Sequence, residues 1–333
     1  MYWLQAVTGR RAANAVQVLS SFYWSWLTGK ARMRGLPVAL TVEPTTACNL
    51  RCPQCPSGLR SFSRPVGRLQ PDLFRSVIDQ IERHTIYLTL YFQGEPLLHP
   101  LFVELVRYAD KKGIFTATST NGHFIDFATA EALVAARLGR LIVSVDGTTQ
   151  EVYEKYRVGG TLEQVLKGIS HLVRAKKQAK SLRPEVVIQF LVGKHNVHQM
   201  QDMKKVAAIL GADRTMFKTM QVYDQQGAME FLPEEIQYRR YQADPNGLKV
   251  NNLIKNRCWR MWHSCVVTWD GKVVPCCFDK DARYVMGDLN RNSLQQIWFG
   301  ERYQQFRQKI LNSRSAIDIC SNCSEGARVW IRA

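Results

Sequence analysis

The chain has 333 residues, enough for one α/β barrel-like domain and a smaller appendage. Hydrophobic residues make up 46% of it, with 21 glycines and 12 prolines, a balance that excludes a disordered or fibrous chain and leaves ample material for a core. The net charge of +17 attracts acidic small molecules, anionic lipid headgroups or nucleic acid without choosing among them, and no apolar run reaches the ~18 residues that a membrane-spanning helix needs.

Residues 1–36 are basic and rich in aromatic side chains. Ala12, Val16, Leu19, Tyr23 and Trp26 recur at helical spacing between Arg10 and Arg11 on one side and Lys30, Arg32 and Arg34 on the other. The spacing predicts an amphipathic helix whose apolar stripe either packs on the domain behind it or lies on a membrane surface. Gly35 and Pro37 then punctuate the chain.

From 37 to 230, apolar β-rich runs at 38–43, 87–92, 114–119, 140–145, 185–192 and 214–219 alternate with stretches of helical period, such as Leu73 to Ile81, Phe102 to Ala109 and Leu162 to Ala175. Alternation of this kind predicts βαβ units and a parallel sheet. Six units fit an α/β partial (β/α)6 barrel, TIM-like, with ligands at the C-terminal ends of its strands. Gln189 and Lys218 fall in the fifth and sixth runs, where a polar side chain facing the interior is costly unless a ligand uses it. His99, His123, His195, His198 and His263 are scattered and suggest no site.

The end of the first run carries Glu43-Pro44-Thr45-Thr46-Ala47-Cys48-Asn49-Leu50-Arg51-Cys52-Pro53-Gln54-Cys55, three thiols within eight residues. Such a loop can curl around one metal centre. On a cubane of four irons it would leave one iron open for a small chelator, and with a fourth ligand it would also satisfy tetrahedral zinc. The remaining cysteines, at 258, 265, 276, 277, 320 and 323, all lie in the region 231–333. There Asp270-Gly271 separates two apolar runs as a hairpin turn, and a helix is predicted around Ser293 to Leu311. Cys258, Cys276, Cys320 and Cys323 could close a second centre with four thiolates, iron–sulfur or zinc. Cys265 and Cys277 are spare, although Cys277 could exchange with Cys276. A secreted disulfide scaffold would be smaller and would open with a signal peptide, so reduced thiols in a cytoplasmic protein are expected.

Cys-x3-Cys-x2-Cys after a first strand resembles the signature of the radical S-adenosylmethionine superfamily. Gln93-Gly94-Glu95-Pro96 is similar to its Gly-Gly-Glu-Pro element, with Gln93 in place of the first glycine. Thr118 to Gly122 resembles its Thr-Asn-Gly turn, Ser144-Val145-Asp146-Gly147 its Ser-x-Asp-Gly element, and Arg157 the arginine that pairs with the methionine carboxylate. Gln54 stands where that family usually has an aromatic residue. These matches run in order over about 38 to 220, and 257 to 325 resembles the SPASM or twitch extension.

The resemblance implies a core domain at 37–230 and a small cysteine-rich iron–sulfur domain at 231–333. It implies a first [4Fe-4S] cluster on Cys48, Cys52 and Cys55, with S-adenosylmethionine held by Gln93, Gly94, Glu95, Ser119, Asn121, Ser144 and Arg157. Gln189 joins that set from its strand position. One auxiliary [4Fe-4S] cluster is expected on Cys258, Cys276, Cys320 and Cys323. The implied activity is of oxidoreductase or related radical type: one electron from a flavodoxin- or ferredoxin-type donor cleaves S-adenosylmethionine to a 5′-deoxyadenosyl radical, which takes hydrogen from a peptide, sugar, lipid or other small-molecule substrate. The chemistry is borne by the cofactor, so no side chain is expected as nucleophile or base. The rival reading is a zinc-stabilised binding protein, for nucleic acid given the charge, but no aromatic-basic nucleic-acid signature emerges.

Overall fold

A computed structural model describes residues 2–244, 247–251, 254–321, 323–325 and 329–331. Its strands run in chain order β1 (Ala39–Val42), β2 (Tyr87–Thr89), β3 (Phe115–Thr120), β4 (Arg140–Ser144), β5 (Glu185–Val192) and β6 (Arg214–Thr219). Then come β7 (Tyr241–Asp244), β8 (Gly247–Val250), β9 (Ser264–Val267), β10 (Lys272–Val274), β11 (Gly287–Asp288) and β12 (Trp330–Ile331). The six predicted runs correspond to β1–β6, and only the second is much shorter than its apolar stretch. The chain forms two compact units, one of Met1–Ala47, Phe62–Thr118 and Ile254–Cys323, the other of Cys48–Ser61, Ser119–Leu253 and Ser324–Ala333.

In the first unit β1 pairs in parallel with β2, and β2 with β3, in the register Leu40↔Leu88 and Leu88↔Thr116. The other edge of β1 is taken, also in parallel, by β9, with Leu40 opposite Cys265 and Val42 opposite Val267. The predicted hairpin follows: β10 runs antiparallel to β9 around Asp270-Gly271, where Gly271 has φ +88°. The helices Pro71–Ile81 and Phe102–Lys111 cover the sheet by burying Phe74, Val77, Ile78 and Ile81 and Phe102, Leu105, Val106 and Ala109. That i, i+3, i+4 spacing is why these segments are helices with one apolar face, and each fully buried Leu, Ile, Val or Phe contributes roughly 1.5–3 kcal/mol.

The second unit holds the parallel strands β4, β5 and β6, with Leu141 opposite Val186 and Ile188 opposite Thr215, and β12 antiparallel on β6. Val186, Val187, Ile188 and Phe190 are fully buried, so β5 reads as an apolar run interrupted only at Gln189 after its first residue. The helix Leu162–Gln178 packs with Leu162, Val165, Ile169 and Leu172.

The N-terminal helix α1 (Gly9–Thr28) forms as its periodicity predicts, capped by Thr8 and ended by Gly29 at φ +68°. The expectation that its apolar stripe packs on the domain is corrected. The face toward the first unit consists of Arg11, Asn14, Val18, Ser21, Phe22 and Ser25, while Val16, Leu19, Tyr23 and Trp26 are 64%, 44%, 49% and 42% exposed. The polar groups win because the surface behind offers backbone atoms. Arg11 donates to the carbonyls of Ala6, Glu82, Lys112 and Gly113. Asn14 brackets the Leu36 peptide group, and Ser25 exchanges hydrogen bonds with Arg32.

Candidate active site and auxiliary metal centre

In the second unit the Cys48–Cys55 loop curls back on itself. The Cys55 amide donates to the Cys52 carbonyl at 3.2 Å, and Cys55 stands at the N-terminus of the short helix Pro56–Leu59. Gly58 makes this turn possible: a Cβ there would sit 2.5 Å from the Cys52 backbone N and O. Cys52 is buried, and burial pushes its thiol up to about 11 against the pull of Arg157, with Cys55 and Cys48 pushing the same way. Cys52 therefore lies close enough to Cys55 and Cys48 to feel their charge. The Cys52 thiol keeps its proton until a cationic centre displaces it. Among the described residues no three Cys, His, Asp or Glu side chains converge to hold a single metal ion. A donor set of three clustered thiols suits an iron–sulfur centre, where each sulfur takes a different iron.

Two links tie this loop to predicted elements of the same unit. Asn121 Nδ2 donates to Asn49 Oδ1 at 2.7 Å, fixing the Thr-Asn-Gly turn to the residue after Cys48. Arg157 donates through Nε to Asp146 Oδ2 at 2.6 Å and brings Nη1 to 3.8 Å from the Cys52 sulfur. Burial alone would lower the Arg157 pKa, but Asp146 and then Cys52 reverse the effect and raise it well above the ordinary value. A fixed cation thus stands beside the thiols, where it could receive a carboxylate. Asp146 and Asn49 were not singled out from the sequence; Asp146 was visible only as the acid of Ser-x-Asp-Gly. Gln54 packs against Gly227, and its Oε1 is a buried acceptor without a protein donor, which an N–H of a bound group would satisfy.

Ser144 ends β4 directly opposite Gln189 on β5, so the strands bring these two together. Ser119 lies on β3 next to the turn that holds Asn121. In the first unit, Gly94 has φ +74°, and a Cβ on it would meet the carbonyls of Thr45 at 2.4 Å and Ala47 at 2.7 Å. Only glycine lets the Gln93-Gly94-Glu95 bend approach the residues leading into Cys48, and the Glu95 amide then bonds the Ala47 carbonyl at 2.7 Å. The Glu95 carboxylate is buried and accepts from Leu97 N. Lys218 stands over the Trp330 ring at 5.6 Å, which gives its charge a partner on β12. His195 stacks on Tyr156, with both ring nitrogens buried and unpartnered.

In the first unit Cys276 lies within electrostatic reach of Cys258 and Cys323, and Cys320 of Cys323. Cys258, Cys320 and Cys323 are buried, and Cys276 is held far above its ordinary pKa by burial and by Cys277, Cys258 and Cys323. Burial and Cys323 push Cys320 to about 11. Arg314 answers this cluster, donating through Nη2 to Cys323 Sγ at 3.4 Å and through Nη1 to the Arg257 carbonyl at 2.8 Å. The sequence carried no sign of Arg314, because its role depends on how the chain folds back. Cys265 is separate: 1% exposed on β9, its thiol pushed by burial to about 12 beside Arg307 and Tyr303, it behaves as a small core side chain.

Residues 42–207 match the family described as the radical SAM superfamily, and residues 258–324 match the iron–sulfur cluster-binding domain SPASM. The chain is 27% identical over 320 residues to the tungsten-containing aldehyde ferredoxin oxidoreductase cofactor-modifying protein of Pyrococcus furiosus, covering 86% of each chain. It is 33% identical over 176 residues to the mycofactocin maturase MftC of Mycobacterium ulcerans, covering 53% of this chain and 46% of that one. The crystal structure of Streptococcus suis SuiB bound to S-adenosylmethionine superimposes with a TM-score of 0.62 at 13% identity, over 93% of this chain and 76% of that one. The shared fold is mixed α/β with parallel strands at its core, and the C-terminal region of this chain carries the SPASM match.

Proposed function

Because the chain belongs to the radical S-adenosylmethionine superfamily and carries a SPASM domain, it is an enzyme that uses S-adenosylmethionine and iron–sulfur clusters, and we propose that Cys48, Cys52 and Cys55 hold the cluster at which that cofactor is cleaved. The observation that supports this most directly is Arg157, oriented by buried Asp146 and standing 3.8 Å from the Cys52 sulfur. When bound, the cluster supplies the electron that splits the C5′–S bond into methionine and a 5′-deoxyadenosyl radical. Arg157 positions the methionine carboxylate, and Glu95 its amino group. Gln93, Gly94, Ser119, Asn121, Ser144 and Gln189 complete the cofactor's surroundings. Cys258, Cys276, Cys320 and Cys323 hold one auxiliary [4Fe-4S] cluster, with Arg314 offsetting the thiolate charge. The core spans 37–230 and the auxiliary domain 231–333.

The bound cofactor would supply the means to take hydrogen from a peptide or small-molecule substrate, with electrons from a flavodoxin- or ferredoxin-type donor; the likeness to the PqqA peptide cyclase of Rhodopseudomonas palustris, 26% identical over 189 residues, supports a peptide. Anaerobic reconstitution with iron and sulfide is expected to load about eight irons per chain, and dithionite with S-adenosylmethionine to release 5′-deoxyadenosine. Cys52→Ala should hold about four irons and release none, whereas Cys320→Ala paired with Cys323→Ala should hold about four and keep the cleavage. Fully loaded protein that makes no 5′-deoxyadenosine would overturn the proposal, and zinc without iron in anaerobically purified protein would restore the zinc-stabilised reading.

A further inference from the structure

We propose that α1 docks this protein on the headgroup region of a lipid bilayer that contains anionic phospholipid. Val16, Leu19, Tyr23, Trp26 and Leu27 fall within an arc of roughly 100° on the helix, and Leu27 is 78% exposed. This stripe is not a misplaced core. The opposite face is committed to the first unit by the bonds of Arg11, Asn14, Ser21 and Ser25, so the helix cannot roll to bury its apolar side without leaving those groups unpaired.

Charge selects the occupant. The chain has no Asp or Glu before Glu43, and the exposed cations Arg10, Lys30, Arg32 and Arg34 flank the stripe. Arg32 lies over the Trp24 ring at 5.3 Å and Arg257 over Trp26 at 4.3 Å, placing guanidinium groups at the rim of the aromatic surface. Tryptophan and tyrosine beside basic groups, with apolar side chains between them, match the amphipathic profile of a bilayer interface. A second copy of the chain would bring the same cations face to face and is disfavoured. The helix is not long and apolar enough to cross a membrane, so the attachment is to the surface.

Co-sedimentation of the full-length protein tests this with phosphatidylcholine vesicles, alone or containing about one third phosphatidylglycerol. Binding to the mixed vesicles should exceed binding to the neutral ones, and Lys30→Gln or Arg34→Gln should each weaken it about fivefold. Leu19→Glu with Leu27→Glu should abolish it while leaving the melting temperature unchanged, and Val16→Ser with Tyr23→Ser is the milder variant if that pair misfolds. Absence of vesicle binding overturns the proposal. So does binding that survives both stripe variants, or a dimer in lipid-free solution that those variants dissociate.

Discussion

Asp146 is fully buried and serves three elements at once. Its Oδ2 takes the Arg157 Nε, its Oδ1 accepts from the Leu191 amide at 2.6 Å, and its carbonyl accepts from Asn196 Nδ2 at 2.9 Å. On the proposed reading it is a positioning residue, because it would reach the cofactor only through Arg157. Asp146→Asn preserves the shape and removes the charge, leaving a buried guanidinium uncompensated at a cost of about 3–5 kcal/mol. Urea unfolding should show that loss. The KM for S-adenosylmethionine should rise about tenfold or more with the iron content unchanged; a purely structural role would lower stability and leave KM alone. Burial governs Glu43 in the same way: its carboxylate takes both terminal nitrogens of Arg64 at 2.8 Å and the Trp269 amide, an ion pair closed within the first unit. Both carboxylates were in plain view in the sequence, but neither could be recognised as buried until its partner, 11 and 21 residues away respectively, was located.

Among the elements, α1 shows how far periodicity reaches. The period located the helix but could not choose between the two readings of its apolar stripe, since hydropathy cannot register that Arg11 finds four backbone carbonyls behind it. Arg11→Met removes those charge-assisted bonds and is expected to destabilise the protein by about 2–4 kcal/mol. Limited proteolysis should then cut between residues 29 and 36, where the wild type resists; an unchanged digestion pattern would show that Phe22, packed on Trp259 and Trp262, holds the helix alone. A comparable surprise is β9. Its alternation with β10 announced a hairpin, yet nothing local showed that it would lie parallel to β1, more than two hundred residues earlier, with Cys265 opposite Leu40. The cysteine-rich region is therefore continuous with the sheet that begins the core, a pairing that apolar runs of similar length leave open.

Across the whole molecule, buried histidines set an acid limit. Burial lowers the pKa of His99, His123 and His195 below the usual value near 6.5. The hydrogen bonds agree for two of them: His99 accepts the Leu101 amide through Nδ1, and His123 accepts the Thr161 amide through Nε2, which requires a neutral ring. Below about pH 6.5 the unfolded chain takes up protons that the folded one refuses, so these rings make stability fall as the pH drops below about 7. Urea midpoints measured between about pH 7.5 and 5.5 should show this trend, and a midpoint independent of pH would mean that these rings protonate in place. The amino-acid sequence by itself determined the class of fold, the two groups of cysteines and the family they belong to, because spacing and periodicity are properties of neighbouring residues. Only the tertiary structure decided which face α1 buries, that β9 joins β1, and that Asp146 aims Arg157 and Arg314 answers the second thiol cluster. Each of these depends on groups distant in the chain meeting where water is excluded, and there the cost of an unpaired charge or hydrogen bond outweighs local preference.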